Sequence, residues 1–467
     1  MKWSELGAVV AAYLFVVFVL CPGTPFISFP VHHDDFSNLS HIGYIWYPWR
    51  PVSYGVLIML SRLGIPVYYS ALHVLIVVYA FLSIAVLRRL LDVPSVPALV
   101  LLPVAAAALS FENTVEYSKY TGLITNLLSG VFAMIAMTAM VSQRKPAQRL
   151  GFGRISLVWI SAALSFWSKE DFLAPTILLA AYLLWRSHAG RRGWYILLSG
   201  LVVEAALLLL YNHHMQSVFT QSSSGSYRPD FSPVSILKTA YTYILLTPGT
   251  KAAFLLAACA LVWNRIASNR IPWIRLLAFL AIIASMALPY LALPNHVFSY
   301  YAFNWAVWEA GGGLLVLWRL WPGMRSGAAI AILAAACLFV TQSGRTALSE
   351  WYSEAARLNR NISRSLAAHR SRLDPYPAVA VEGAPMYGPW FGATGDFLKN
   401  RLRMDHVWLV RVPKDSAYWR ASWALLGSDI QGDVKTVAME TEPVSTDMPL
   451  VKLSKDGMAT VDYPREP

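Results

Sequence analysis

Residues 67–89 read VYYSALHVLIVVYAFLSIAVLRR. No Asp, Glu, Lys or Arg interrupts the run until Arg88 and Arg89 end it. As a helix, residues 67–87 reach about 32 Å, enough to cross the roughly 30 Å hydrocarbon core of a bilayer. Comparable apolar runs fall near 6–20, 97–111, 122–142, 155–168, 172–185, 194–211, 250–264, 273–292, 302–320 and 326–341, so about eleven transmembrane helices are expected. The first run ends in Phe18-Val19-Leu20 before Cys21, bulky residues that suit neither signal-peptide nor lipoprotein cleavage, and it reads as an uncleaved first helix.

Composition agrees. Of 467 residues, 56% are hydrophobic and 14% charged, and mean hydropathy is +0.47, against about 25% charged in a soluble domain. A soluble enzyme, a disordered chain and a fibrous repeat are excluded. The net charge of +12 does not point to nucleic acid, because its excess lies between the apolar runs, where membrane topology explains it. Cys21, Cys259 and Cys337 show no ligand spacing, so neither a disulfide framework nor a zinc site is expected.

The loops set the orientation. One alternating set, with Lys2, carries 15 Lys or Arg, among them Arg88, Arg89, Arg186, Arg191, Arg192 and Arg275; the other carries 7. The positive-inside rule puts the first set and the N-terminus in the cytoplasm. An odd helix count then puts the C-terminus outside. Composition fits a bacterial cytoplasmic (inner) membrane.

The fold class is thus an all-α polytopic membrane protein, residues 1–341, with a small C-terminal α/β extracytoplasmic domain, residues 342–467. Leu348, Trp351, Ala355, Leu358, Ile362 and Leu366 recur at helical spacing and predict an amphipathic helix over about 346–371. Short apolar segments at 378–381, 406–412, 434–439 and 450–453 then suggest strands.

The outward loops hold most of the chemistry. The first contains His32-His33-Asp34-Asp35 and Trp49-Arg50-Pro51, and its second half suits an interfacial helix. Adjacent carboxylates raise one another's pKa, which suits a general base; a solvated polar turn is the plain alternative. His32 and His33 read either as metal ligands, with Mg or Mn a candidate divalent cation, or as an exposed pair. Lys169-Glu170 follows a short helix, where a lysine can hold a lipid-linked phosphate or snorkel to the interface. Arg50 can grip phosphate oxygens bidentately or serve as an interfacial anchor, and His296, in an outward turn before Tyr300 and Tyr301, can donate to a phosphate or a sugar. Glu112 and Glu116 can orient an acceptor or pair with Lys119. The loop 212–249, rich in Ser and Gly, is expected to be mobile. Glu204 and Glu309 lie within predicted spans, where acids are functional suspects.

In chain order, an acidic pair follows the first helix, Arg50-Pro51 precedes an interfacial helix, Glu116 follows the third helix and Lys169-Glu170 the fifth, and a soluble outer domain ends the chain. This order and sidedness resembles the GT-C superfamily of polytopic glycosyltransferases, nearest to the protein O-mannosyltransferase and aminoarabinose transferase group, over roughly residues 1–310. The resemblance implies a sugar donor on a polyprenyl (undecaprenyl) phosphate and a glycan, lipid or protein hydroxyl as acceptor. It implies Asp34 as catalytic base with Asp35 second, in an Asp-Asp pair where those relatives usually carry Asp-Glu. Lys169, Arg50 and His296 would face the donor phosphate. Glu116, Glu170, Glu112 and Tyr301 would position substrates, the 212–249 loop would close over them, and displacement would invert the anomeric centre. The competing readings are a transporter or lipid flippase coupled through Glu204 and Glu309, and a non-catalytic scaffold.

Overall fold

A computed structural model of the chain describes residues 3–22, 26, 50–93, 96–119, 123–142, 151–187, 191–214, 229–267, 270–294, 299–376, 378–382, 406–410, 449–454 and 456–464. Helices α1 (Trp3–Leu14, continued by a π-helical stretch, Phe15–Val19), α2 (Pro51–Leu63), α3 (Ile65–Leu90), α4 (Ala98–Ala108), α5 (Glu112–Tyr117), α6 (Ile124–Val141), α7 (Phe152–Phe166) and α8 (Leu173–Arg186) form the first half. Next come α9 (Arg191–His214), α10 (Pro233–Leu246), α11 (Pro248–Ile266), α12 (Trp273–Leu291), α13 (Phe303–Leu320), α14 (Met324–Val340) and α15 (Gln342–Leu373).

Each apolar run read from the sequence coincides with a helix. Four of the described helices, α3, α6, α9 and α12, are long and apolar enough to cross a membrane alone, and six spans result if α10–α11 and α14–α15, bent by 105° and 46°, each count as one. The other helices differ in length or setting: α4, at 11 residues, extends only about 16 Å, and α13 is sheathed by its neighbours along most of its length. The outward faces are apolar; on α9, Val203, Leu207 and Leu210 are more than half exposed. In water such a stripe would drive association, but facing lipid it costs nothing.

Without a hydrophobic drive between helices in lipid, close packing depends on small residues. α13 carries Gly311-Gly312-Gly313, and a Cβ on Gly313 would lie 3.2 Å from backbone atoms of Leu256 and Ala257 on α11. The two helix backbones therefore touch. The loop expected over 212–249 contains α10. Its start was written in the sequence: Pro233 occupies the first turn, and the Ser232 hydroxyl accepts from the Ser235 amide at 3.3 Å.

The amphipathic tail helix is α15. Tyr352, rather than the half-buried Trp351, takes the inner face beside Leu348, Ala355, Leu358, Ile362 and Leu366. Arg345, fully buried, fixes the bend between α14 and α15. Its guanidinium donates to the Leu338 carbonyl at 2.8 Å, to Gln342 Oε1 at 2.6 Å, to the Thr341 hydroxyl and to the Ser110 carbonyl. Gln342 in turn donates to the Leu20 carbonyl at 2.7 Å. A four-stranded sheet follows in the order β2-β1-β3-β4, with β1 (Ala378–Glu382), β2 (His406–Val410), β3 (Leu450–Leu453) and β4 (Ala459–Asp462). β1 lies parallel to β2 and β3, and β3–β4 is an antiparallel hairpin. It rests on α15, where the Ala459 amide donates to Ser365 Oγ at 2.9 Å and Asn361 donates to the Asp456 carbonyl at 2.9 Å. The segment read at 434–439 lies outside the described residues.

Gly313→Val tests the close crossing. Overpacking against backbone should cost about 1–3 kcal/mol, read as a lowered melting temperature in detergent, whereas Gly323→Ala, in open space, should show none of the packing penalty and only the cost of its positive φ.

Candidate active site

Helices α7 and α8 are joined by Trp167-Ser168-Lys169 and a 3₁₀ turn, Glu170–Phe172. Small hydroxyls pin this connection into the bundle. Ser129 Oγ on α6 donates to the Lys169 carbonyl at 2.7 Å, Ser165 Oγ donates to the Ser129 carbonyl at 2.8 Å, and Ser53 Oγ on α2 donates to the Ser168 carbonyl at 2.9 Å. The last bond matters twice. Pro51, with its fixed φ, starts α2, so holding Ser53 on the turn brings Arg50 there as well.

Two ion pairs are stacked on this connection. The inner one joins Lys169 Nζ to Asp171 Oδ2 at 3.1 Å, with side chains 7% and 5% exposed; the outer joins Arg50 Nη2 to Glu170 Oε1 at 3.0 Å, with side chains 20% and 22% exposed. Lys169 also donates to Asn126 Oδ1 at 3.1 Å and to the Tyr290 hydroxyl at 2.9 Å, and it lies 5.2 and 5.0 Å from the ring centres of Tyr290 and Tyr301. Those two rings stack at 4.1 Å. Burial pushes the Lys169 ammonium below the usual lysine range, against the pull of Asp171. Burial acts in the opposite sense on Glu170, yet Arg50 and Lys169 together hold its carboxyl below the usual carboxylate range. Arg50 stays protonated, its charge favoured by Glu170 and Asp171 although burial opposes it.

A second polar group lies on α5. Glu112 and Glu116, one turn apart, are 6% and 1% exposed. α15 covers them, and Tyr352 donates to Glu116 Oε1 at 3.4 Å. Burial, with help from Glu112, pushes Glu116 up to about 8, so it is neutral at pH 7. Burial also raises Glu112, while the Gly249 amide and Arg345 pull the other way; a Cβ at Gly249 would fall 2.1 Å from the Phe111 ring, so this approach requires glycine. Lys119, buried at the end of the same turn, is pushed down to about 7. Asn126 links the two groups. Its Oδ1 accepts from Lys169, and its Nδ2 donates to the Tyr117 hydroxyl at 3.3 Å.

The structure thus gathers Arg50, Lys169, Glu170 and Tyr301 at one end of the bundle and sets Glu112 and Glu116 under α15. Asp34, Asp35, His32, His33 and His296 lie outside the described residues. Among the described residues no three His, Cys, Asp or Glu side chains group as metal ligands. Sequence reading passed over Asp171, Asn126 and Tyr290. Asp171 is the second residue after Lys169 and Asn126 is a polar residue inside an apolar run; Tyr290 gave no signal.

No protein-family model and no curated protein matches the chain. Solved structures similar to it include the Archaeoglobus fulgidus oligosaccharyltransferase tethered to an acceptor peptide containing the NVT sequon (11% identity, TM-score 0.43, 87% of this chain and 64% of that one). The same enzyme in complex with Zn and sulfate is similar at 10% identity and TM-score 0.44, over 86% and 62% of the two chains. ArnT from Cupriavidus metallidurans bound to undecaprenyl phosphate is similar at 12% identity and TM-score 0.46, over 95% and 92%. The chain spans less than two thirds of the archaeal enzyme's length.

Glu116→Gln has a signed pH dependence. An acid whose folded pKa is raised stabilises fully below its ordinary value and loses that contribution as pH rises to about 8. Wild type and variant should melt together at pH 4, and the variant should be more stable at pH 9 by a few kcal/mol, on the order of 1.4 per pKa unit. Equal gaps at both pH values would show that the carboxyl does not titrate with folding.

Proposed function

We propose that the protein is an integral membrane glycosyltransferase that moves a sugar from a polyprenyl-phosphate donor to a hydroxyl acceptor at the outer face of the bacterial cytoplasmic membrane. In this reading the chain crosses the bilayer about eleven times, with its N-terminus inside and residues 342–467 outside. The observation that carries the reading is the stacked Arg50–Glu170 and Lys169–Asp171 pairs at one end of an apolar bundle. A lipid-linked phosphate arrives at such an end with its chain in the bilayer, and as the glycosidic bond breaks its oxygen gains negative charge. Cations fixed in advance at that place stabilise the developing charge.

Arg50 is the accessible cation. Its planar fork can grip two phosphate oxygens when Glu170 yields them. Lys169 sits behind it, held by Asp171, Asn126 and Tyr290, and contributes field and position. Asp34 takes the acceptor proton as the acceptor oxygen attacks the anomeric carbon from the face opposite the phosphate, which inverts the centre; Asp35 supports it. His296 would assist at the donor phosphate, and Tyr301, Glu170, Glu112 and Glu116 would position the substrates. If a divalent cation takes part, His32 and His33 are its candidate ligands, and it would neutralise phosphate charge. The transport reading draws no support from packing. α9, which carries Glu204, lies on α7 and α8, whereas α13, which carries Glu309, lies on α3, α4 and α11.

The test is transfer or hydrolysis of labelled polyprenyl-phosphate sugars by purified protein. Asp34→Asn should lower turnover about 10²–10⁴-fold, the usual weight of a general base. Arg50→Gln should lower it about 10²-fold or more through lost phosphate stabilisation. EDTA reports on a metal. Full turnover in Asp34→Asn, or greater damage from Glu204→Gln, would defeat the assignment.

A further inference from the structure

The arginines that fixed the topology by count also converge in space. At the end of the bundle remote from Lys169, a cavity of about 330 Å³ opens between α3, α6, α8, α9 and α12. The two ends are set by the helices themselves. On α6, Asn126 touches Lys169 and Met140 lines the cavity; on α12, Tyr290 touches Lys169 and Arg275 lines the cavity. Fourteen or fifteen residues of helix separate each pair, about 21–23 Å. The cavity and the proposed transfer site are therefore distinct.

The rim is cationic. Arg89, Arg186 and Arg275 line it, and Asp92 is its one acid among the lining residues. Asp92, in the left-handed conformation (φ 57°) just past α3, pairs with Arg275 at 3.1 Å. Arg186 is ordered by Tyr182, whose hydroxyl accepts from it at 3.3 Å and whose ring centre lies 5.7 Å from the guanidinium. Arg89 and Arg186 fall in the last turns of α3 and α8, where the helix dipoles favour them, but Arg275 stands in the first turn of α12, where the dipole opposes a cation. Three arginines and one carboxylate among the lining residues give the rim a net positive charge that suits an anion.

The wall is apolar. Leu90, Met140 and Trp194 are buried behind the rim. A cationic rim over an apolar wall, between helices at the arginine-rich face, matches a phosphate carried on an acyl chain. We propose that this cavity binds the headgroup phosphate of an anionic phospholipid, gripped by Arg89, Arg186 and Arg275, with its acyl chain against the partly exposed Val141 and Leu183. The site needs nothing from the transfer reaction and stands whether or not that reading does.

The experiment uses the full-length protein in detergent and reads retained lipid by native mass spectrometry. Short-chain phosphatidylglycerol, phosphatidylcholine and inorganic phosphate are the probes. Wild type should retain phosphatidylglycerol at least tenfold better than phosphatidylcholine, and millimolar inorganic phosphate should not displace it. Arg186→Gln should lower retention about tenfold. Arg89→Gln, at an exposed residue, should lower it as well. Asp92→Asn should raise it by removing the acid that competes for Arg275. Melting temperatures of Arg89→Gln and wild type should match, which separates lost binding from lost folding. Equal retention of the two lipids, or retention indifferent to both arginine variants, overturns the proposal. Displacement by inorganic phosphate overturns its lipid assignment in favour of a soluble phosphate.

Discussion

Lys169 carries a charge to a place that water scarcely reaches, and the helices around it are constrained by that. An ammonium stripped of hydration costs several kcal/mol unless a counter-charge and hydrogen-bond acceptors replace the lost water. Asp171 supplies the charge, and Asn126 and Tyr290 supply the acceptors. Those residues come from the 3₁₀ turn, α6 and α12. The requirement therefore fixes three elements relative to one another at this end of the bundle. The serine bonds from Ser53, Ser129 and Ser165 hold the backbone of the turn to the same tolerance, and Arg50 is positioned only because Ser53 is.

The layering of the two ion pairs follows from this. The inner pair, nearly dry, is strong and fixed, and removing either partner would leave an uncompensated charge. The outer pair is about a fifth exposed, so water weakens it and its arginine can exchange partners. A site that must hold its geometry yet receive a phosphate benefits from that division. Glu116 beneath α15 belongs to the same logic: among the described residues no ion pair holds it, and burial raises its pKa.

Much of the fold was legible because apolar length is a coarse, robust signal. The runs from 6–20 through 326–341 meet helices, and α15 meets its amphipathic stripe. Details set by local chemistry were harder. α10 escaped notice because Ser and Gly around 221–225 outweighed the Ser232-Pro233 start signal. Tyr352 displaced Trp351 because a stripe fixes a helix face only to within a residue. At the site, Arg50, Lys169, Glu170 and Tyr301 stood out as charged or aromatic residues near predicted helix ends, and the structure brings them together. Asn126 and Tyr290 are ordinary members of apolar helices, and only the placement of those helices reveals what they touch. Strand β4 rests on the β3 hairpin and α15 rather than on its own four residues.

The bend at Arg345 has a mechanical side. α15 runs 32 residues from that anchor, about 48 Å, and carries the β3–β4 hairpin near its far end. Its first turns, by contrast, lie directly over Glu112 and Glu116. A rotation of about 5° at the anchor would sweep the far end through about 4 Å over that length while scarcely stirring the carboxylates beneath the pivot. The tail is thus a long lever with its fulcrum beside the buried acids, and a large molecule pressing on the sheet acts on the bundle with that mechanical advantage.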